Sequence, residues 1–207
     1  YGYDHYSNLD QLPTNFDDPH TKDWGRHSPL FSPELGTGWF DDWNGMGYNN
    51  VRKQYNANYE NVLFKQFIGQ GFNMLSLYMT YGGTNWGNLF EPTVYSSYDY
   101  SAPINEKRQI TAKASQQKKI GYMLQSVSSI AKTNKASNAV LPNAPGIHLF
   151  KLENPDTKTQ FYTLRHDVAN SKANTTFNLP IKGQRLNTKV PVTLNGQTSK
   201  ILLANYK

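Results

Sequence analysis

The chain of 207 residues contains no cysteine. This excludes a disulfide framework and any thiolate metal site. Charge is sparse, at 17% of residues, and no long run of like charge occurs. The formal net charge is +6, from 21 basic and 15 acidic residues. A nucleic-acid reader concentrates its basic residues among base-stacking aromatics. Here they are scattered, and the local excess from Lys107 to Lys135 reads as a solvated helix face. No nucleic-acid partner is therefore expected. No apolar run approaches membrane-spanning length, so no membrane partner is expected either. The five histidines show no ligand spacing, and neither a metal nor another cofactor is expected. The chain opens on Tyr1-Gly2-Tyr3 rather than Met and shows no secretion signal. That start, inside an apparent strand, is expected of an internal excerpt.

What the chain does have is aromatic side chains, 14% of the total, which with the modest charge excludes a disordered segment. Rings stack on sugar faces and amides bond sugar hydroxyls, so abundant Tyr, Trp, Asn and Gly point towards carbohydrate. The segment that says most is Ser32-Pro33-Glu34-Leu35-Gly36-Thr37-Gly38-Trp39. It sets a lone carboxylate at the end of a short apolar run, before a glycine-rich turn that carries Trp39, Phe40 and Trp43. A Glu beside rings is a poor structural choice unless it has chemistry to do.

The first half alternates strands with helical stretches. Tyr1–Tyr6 and Pro29–Glu34 read as strands, joined by a long loop over 7–27. Long loops in compact domains are usually functional. Val51, Tyr55, Tyr59, Val62, Leu63, Phe67 and Ile68 recur near a helical period, which predicts one helix over 51–70, stopped by Gly69 and Gly71. Phe72–Thr80 reads as a buried strand. After a second long aromatic loop, 81–103, Asn105 is placed to cap a helix reaching about Leu124, with Ile110, Ala114, Ile120, Met123 and Leu124 facing inward. Strand, helix and parallel strand make a right-handed crossover unit. Three such units leave apolar edges open, and an eight-stranded barrel needs about 250 residues. The expected fold is thus α/β: residues 1–126 as the last three strands of a (β/α)8 barrel. Lys132–Pro145 reads as a polar linker. Residues 127–207 as a whole are expected to hold this linker and the start of an all-β domain, with strands near 146–152, 159–166, 175–179, 190–194 and 200–204, and a hairpin turn at Asn195-Gly196.

Barrel enzymes keep their active sites at the C-terminal ends of the strands, which makes Glu34 the leading nucleophile candidate. A retaining glycosidase needs a second carboxylate about 5 Å away. Asp4, Asp41, Asp42 and Asp99 are present without a clear claim. Asp41 and Asp42 read as turn residues and Asp99 as one that orients its loop by hydrogen bonding. The acid/base is expected upstream of residue 1.

Three stretches carry a family resemblance: Ser32–Trp39, Tyr78-Met79-Thr80-Tyr81-Gly82-Gly83-Thr84-Asn85-Trp86-Gly87-Asn88-Leu89 and Ser97-Tyr98-Asp99-Tyr100-Ser101-Ala102-Pro103-Ile104-Asn105-Glu106. Together they resemble the family 35 β-galactosidases, above all the large secreted fungal enzymes. The resemblance is specific over 1–126 and continues more weakly through 161–206. It implies a retaining exo-acting hydrolase of terminal β-linked galactose, with no cofactor. It implies Glu34 as nucleophile on the seventh barrel strand, Tyr6 contacting substrate and nucleophile, Tyr100 binding the galactose, and Trp39 as a ring near the sugar. The family acid/base lies in an Asn-Glu pair on the fourth strand. The Asn105-Glu106 pair opens the last helix instead, so the acid/base is expected outside this chain. Tyr6-Ser7 stands where the family usually has Tyr-Pro, and Leu35 where an aromatic is common. The resemblance also implies a secreted, extracellular protein. Asn174-Thr175-Thr176 is a glycosylation sequon compatible with that. The alternative function is a catalytically inactive galactoside-binding protein that kept the pocket. An intact Asn-Glu pair upstream would discriminate the two. No oligomeric state is read from the sequence.

Overall fold

A computed structural model of the chain describes residues 2–6, 8–14, 16, 29–39, 41, 44–87, 89, 96–183 and 187–206. Near the start, three extended segments run side by side in one direction. β1 (Leu30–Gly36) pairs in parallel with β2 (Phe72–Tyr78). Residues 2–5 join the other edge of β1 through parallel bridges at Gly2–Phe31 and His5–Leu35. The expected first strand is thus two isolated bridges rather than a continuous ladder among the described residues.

Parallel neighbours need a long crossover, and two helices supply it, α1 (Tyr48–Gln54) and α2 (Ala57–Gly69). The sequence predicts one helix here. The break lies at Tyr55–Asn56, where the Asn56 side chain accepts the amides of Asn58 and Tyr59 at 2.9 and 3.2 Å and so caps α2. A helical hydrophobic period does not register such a break, because the apolar stripe continues across it. α2 buries Tyr59, Val62, Leu63, Phe64, Phe67 and Ile68 against Leu35 and Phe72 of the parallel strands. Burying a large apolar side chain stabilises by about 1.5–3 kcal/mol, so this face anchors the strand ends.

The loop after β2 is pinned by β3 (Gly83–Thr84) pairing antiparallel with β4 (Ser97–Tyr98). A Cβ on Gly82 would stand 2.8 Å from the Asp99 carbonyl, so only glycine permits this approach. The last helix of this half, α3 (Ala112–Ser126), starts later than the sequence predicts. Asn105 closes a local turn instead, its side chain accepting the Gln109 amide at 2.9 Å. Ile110 therefore lies outside the helix and is 76% exposed, whereas Ile120 is buried and Met123 and Leu124 pack on the core.

The expected linker is corrected by the structure. Residues Asn134–Val140 form β5, an antiparallel edge strand on β6 (Ile147–Glu153). Every residue of β5 is exposed, so no alternation of polar and apolar residues marks it; its partner's backbone decides it. β7 (Gln160–His166) and β10 (Ser199–Ala204) complete a four-stranded sheet in the order β10-β7-β6-β5. A hairpin of β8 (Asn174–Lys182) and β9 (Asn187–Asn195) covers it. Leu149, Tyr162 and Leu164 of the sheet meet Phe177, Leu179 and Val192 of the hairpin in a second core.

Asn195-Gly196 is a turn but not a hairpin turn. It carries the chain from β9 to β10 in the other sheet, with the Gly196 amide donating to Ala173 at 2.8 Å. The two halves touch through α2: Lys65 Nζ donates to the Ser199 carbonyl at 2.6 Å, and Asn61 accepts the Ser199 amide at 2.8 Å. The observed fold is thus mixed, with parallel strands and crossover helices followed by open antiparallel sheets.

Candidate active site

Pro33 has no N–H to give to a ladder, and the β1–β2 register shifts between Ser32 and Leu35. Such irregularities re-aim side chains. Glu34 sits inside this one. Ser32 and Leu35 turn into the core at 0% exposure, while Glu34 is exposed at the C-terminal end of the strand.

The first segment holds Glu34 at two points. The Tyr6 hydroxyl donates to Glu34 Oε2, and Asp4 Oδ1 accepts the Glu34 amide at 3.1 Å. Trp39 lies beside Tyr6, ring centres 4.1 Å apart at 42°. Tyr78, the last residue of β2, meets Tyr6 edge-on at 5.8 Å and Trp39 at 6.1 Å. Its hydroxyl pKa is pushed up to about 12, first by burial, then by the Tyr98 hydroxyl, with a contribution from the Glu34 charge. It therefore stays protonated and able to donate at neutral pH.

Tyr100 lies behind Tyr78, ring centres 6.3 Å apart, and stacks on Tyr98 at 4.2 Å. Its ring is only 2% exposed, and burial raises its hydroxyl pKa strongly. Hydrogen bonds link its hydroxyl to those of Tyr78 and Tyr98. The structure thus brings Tyr6 into contact with both Glu34 and Trp39 and joins Tyr100 to them through Tyr78. Sequence reasoning missed Tyr78. Its place near the end of the predicted strand 72–80, shortly before Gly82-Gly83, is the available signal.

Among the described residues, the other candidate carboxylates have structural partners. Asp99 pairs with Arg52 and accepts the amides of Ser101 and Glu106 at 3.0 and 3.1 Å, the loop-orienting role the sequence suggested. Asp41 accepts the Gly47 amide at 3.1 Å, ahead of α1. Glu106 binds the hydroxyls of Thr84 and Ser97 at 2.5 and 2.6 Å. Phe40, Asp42, Trp43 and Asn88 lie outside the described residues. Asn174 opens β8 on an exposed edge. His166 is buried, with its ring nitrogens 3.1 Å from the Gly196 carbonyl and the Thr175 hydroxyl. Among the described residues no three of His, Asp and Glu gather as metal ligands.

Residues 2–124, more than half of the chain, match glycosyl hydrolases family 35. The chain belongs to glycosyl hydrolase family 35. Residues 130–207 match the family described as β-galactosidase, domain 2. Curated relatives include a probable beta-galactosidase C of Aspergillus fumigatus, 37% identical over 180 residues, which are 86% of this chain and 18% of the relative. Proteins of the same description from Sclerotinia sclerotiorum and Aspergillus niger are 37% identical over 186 residues and 34% over 181, with the same coverage. The match thus spans 18% of the length of these relatives.

Proposed function

We propose that this chain belongs to a longer, retaining exo-β-galactosidase that removes terminal β-D-galactose from galactosides and polysaccharides. The observation that carries this reading is the Tyr6 hydroxyl on the Glu34 carboxylate, at the C-terminal end of parallel strands and beside Trp39. In this reading Glu34 is the nucleophile. It attacks the anomeric carbon, the leaving oxygen departs with a proton from the acid/base, and a glycosyl ester on Glu34 is then hydrolysed by water. Tyr6 holds the carboxylate in line, Trp39 forms a ring surface for the sugar, and Tyr100 acts through the tyrosine cluster on a sugar hydroxyl. The acid/base is placed on another strand, outside this chain.

The same reading makes residues 1–126 the last three strands of a (β/α)8 barrel, with the start of an all-β domain in 127–207. The free edge of β2 among the described residues, with Met74 44% and Leu77 36% exposed, supports it, because closing the barrel would pair that edge and bury side chains on both faces. This reading also includes a secreted, glycosylated protein with a glycan on Asn174, which the exposed sequon supports.

The test is a 2-deoxy-2-fluoro-galactoside with a good leaving group, applied to the full-length protein and followed by peptide mass analysis. Labelling on Glu34 is expected. Labelling of another carboxylate would overturn the assignment, and a folded protein that binds galactose without turnover or label would favour an inactive galactoside-binding protein.

A further inference from the structure

Lys113 is one of the largest fully buried side chains of the molecule, on α3, and it is 2% exposed. Its ammonium donates to two backbone carbonyls, those of Thr37 and Ser101, the latter at 2.9 Å. Glu60 of α2, 0% exposed, has its Oε1 3.8 Å away, with the Gln117 side chain also acting on its carboxyl. A buried ammonium is costly unless it is paired and hydrogen-bonded. An apolar side chain of this length would fill the same space without that cost, so the two carbonyls are what distinguishes Lys113.

Those carbonyls belong to the two segments that form the site. Thr37 lies between Glu34 and Trp39. Ser101 follows Tyr100, and both residues of that turn hold positive φ, 50° and 54°. The segments already meet where the Trp39 amide donates to the Tyr100 carbonyl at 2.9 Å. A Cβ on Gly38 would stand 2.6 Å from that same carbonyl, so the approach is as close as backbones allow. The Thr37 hydroxyl reaches the Met79 carbonyl at 2.9 Å, which draws in the end of β2 beside Tyr78. A cavity of only about 10 Å³ adjoins Thr37, Trp39 and Lys113, leaving no room for a chain of waters that could replace the ammonium.

We propose that Lys113 is a positioning residue of the active site: its ammonium fastens the segment bearing Glu34 and Trp39 to the turn bearing Tyr100, and so sets the spacing between nucleophile and sugar-binding rings. The inference rests on the β-galactosidase reading. Lys113 touches no substrate and acts through these two segments. Glu60 supplies the counter-charge, and the Asp99–Arg52 pair also faces the ammonium. Burial lowers the pKa of Lys113 and raises that of Glu60, and their attraction opposes both shifts.

The experiment compares the full-length wild type with Lys113→Met and with the double variant Lys113→Met/Glu60→Met. The single variant leaves the buried Glu60 carboxyl without its partner and is expected to lose thermal stability. The double variant removes both charges and is expected to recover most of it. Activity is expected to separate from stability: in the double variant kcat and the rate of Glu34 labelling, per folded molecule, stay about 10- to 100-fold down, because a misplacement near 1 Å costs that much. KM changes less. Recovery of wild-type kcat together with stability would reduce Lys113 to a charge partner and overturn the proposal. Failure of both variants to fold would make it a stability residue and also overturn it. A wild type without galactosidase turnover is a separate outcome, which removes the functional reading and this inference with it.

Discussion

Asp4 accepts the backbone N–H of Glu34 at 3.1 Å, and two residues later Tyr6 donates to the Glu34 carboxylate. One short segment therefore holds both ends of the same residue. Neighbouring parallel strands place these groups side by side although 28 and 30 positions separate them in sequence. Glu34 nevertheless stays exposed, and the Tyr6 ring that holds it packs against Trp39.

Removing the Tyr6 hydroxyl tests that hold. A hydrogen bond to a charged acceptor contributes about 1.5–3 kcal/mol. In the full-length protein Tyr6→Phe should lower kcat/KM for a nitrophenyl β-galactoside by roughly 10- to 150-fold, with folding unchanged by circular dichroism. Wild-type kinetics in this variant would reduce Tyr6 to a packing residue.

Tyr100→Phe keeps a buried ring and deletes one hydroxyl of the tyrosine cluster. The expected loss is about 0.5–1.5 kcal/mol in kcat/KM, more where a buried partner is left unpaired. Michaelis–Menten parameters for both proteins settle it, and unchanged values would assign Tyr100 to packing alone.

Asn56 caps α2, whose buried face holds β1 and β2. Asn56→Ala should destabilise by about 1 kcal/mol, read as a lower urea midpoint at an unchanged slope. An equal midpoint would show that tertiary packing alone sets the start of the helix.

His148 is 6% exposed, with Nδ1 3.0 Å from Asp167 and Nε2 2.7 Å from Asn138. Burial lowers its pKa, the Asp167 hydrogen bond opposes the shift, and Arg165 adds to the lowering. The unfolded chain binds the proton near pH 6.5, while the folded chain binds it only at lower pH. Stability from this group is thus full above about pH 6.5 and falls on acidification through the window below it. His5 is lowered by burial too and contributes with the same sign. Urea midpoints between pH 7 and 5 should fall more steeply in the wild type than in His148→Gln; parallel slopes would exclude His148 as a source.

The chain expressed alone as residues 1–207 is expected to be inactive, because the leaving oxygen needs a proton donor that this reading places elsewhere. It is also expected to aggregate through the free β2 edge. Robust turnover, abolished by Glu34→Gln, would show that Asp4 or another carboxylate of this chain serves as the acid.

The sequence by itself determined the parallel strands, the existence of α2 and α3, the antiparallel second half and the Glu34 motif. Each of these rests on local information: runs of apolar residues, helical spacing and glycine-rich turns. Tertiary structure decided the rest. The cap at Asn56 interrupts a helix whose apolar period continues across it. β5 carries no alternation and exists because β6 offers it hydrogen bonds. Asn195-Gly196 turns the chain, but which sheet the next strand joins depends on partners far away in sequence. At the site, the local motif pointed to Glu34 and Trp39. The contacts among Tyr6, Tyr78 and Tyr100, and the Lys113 ammonium behind them, arise only when strand ends from separate crossover units converge, because no spacing along one segment encodes a distance between two.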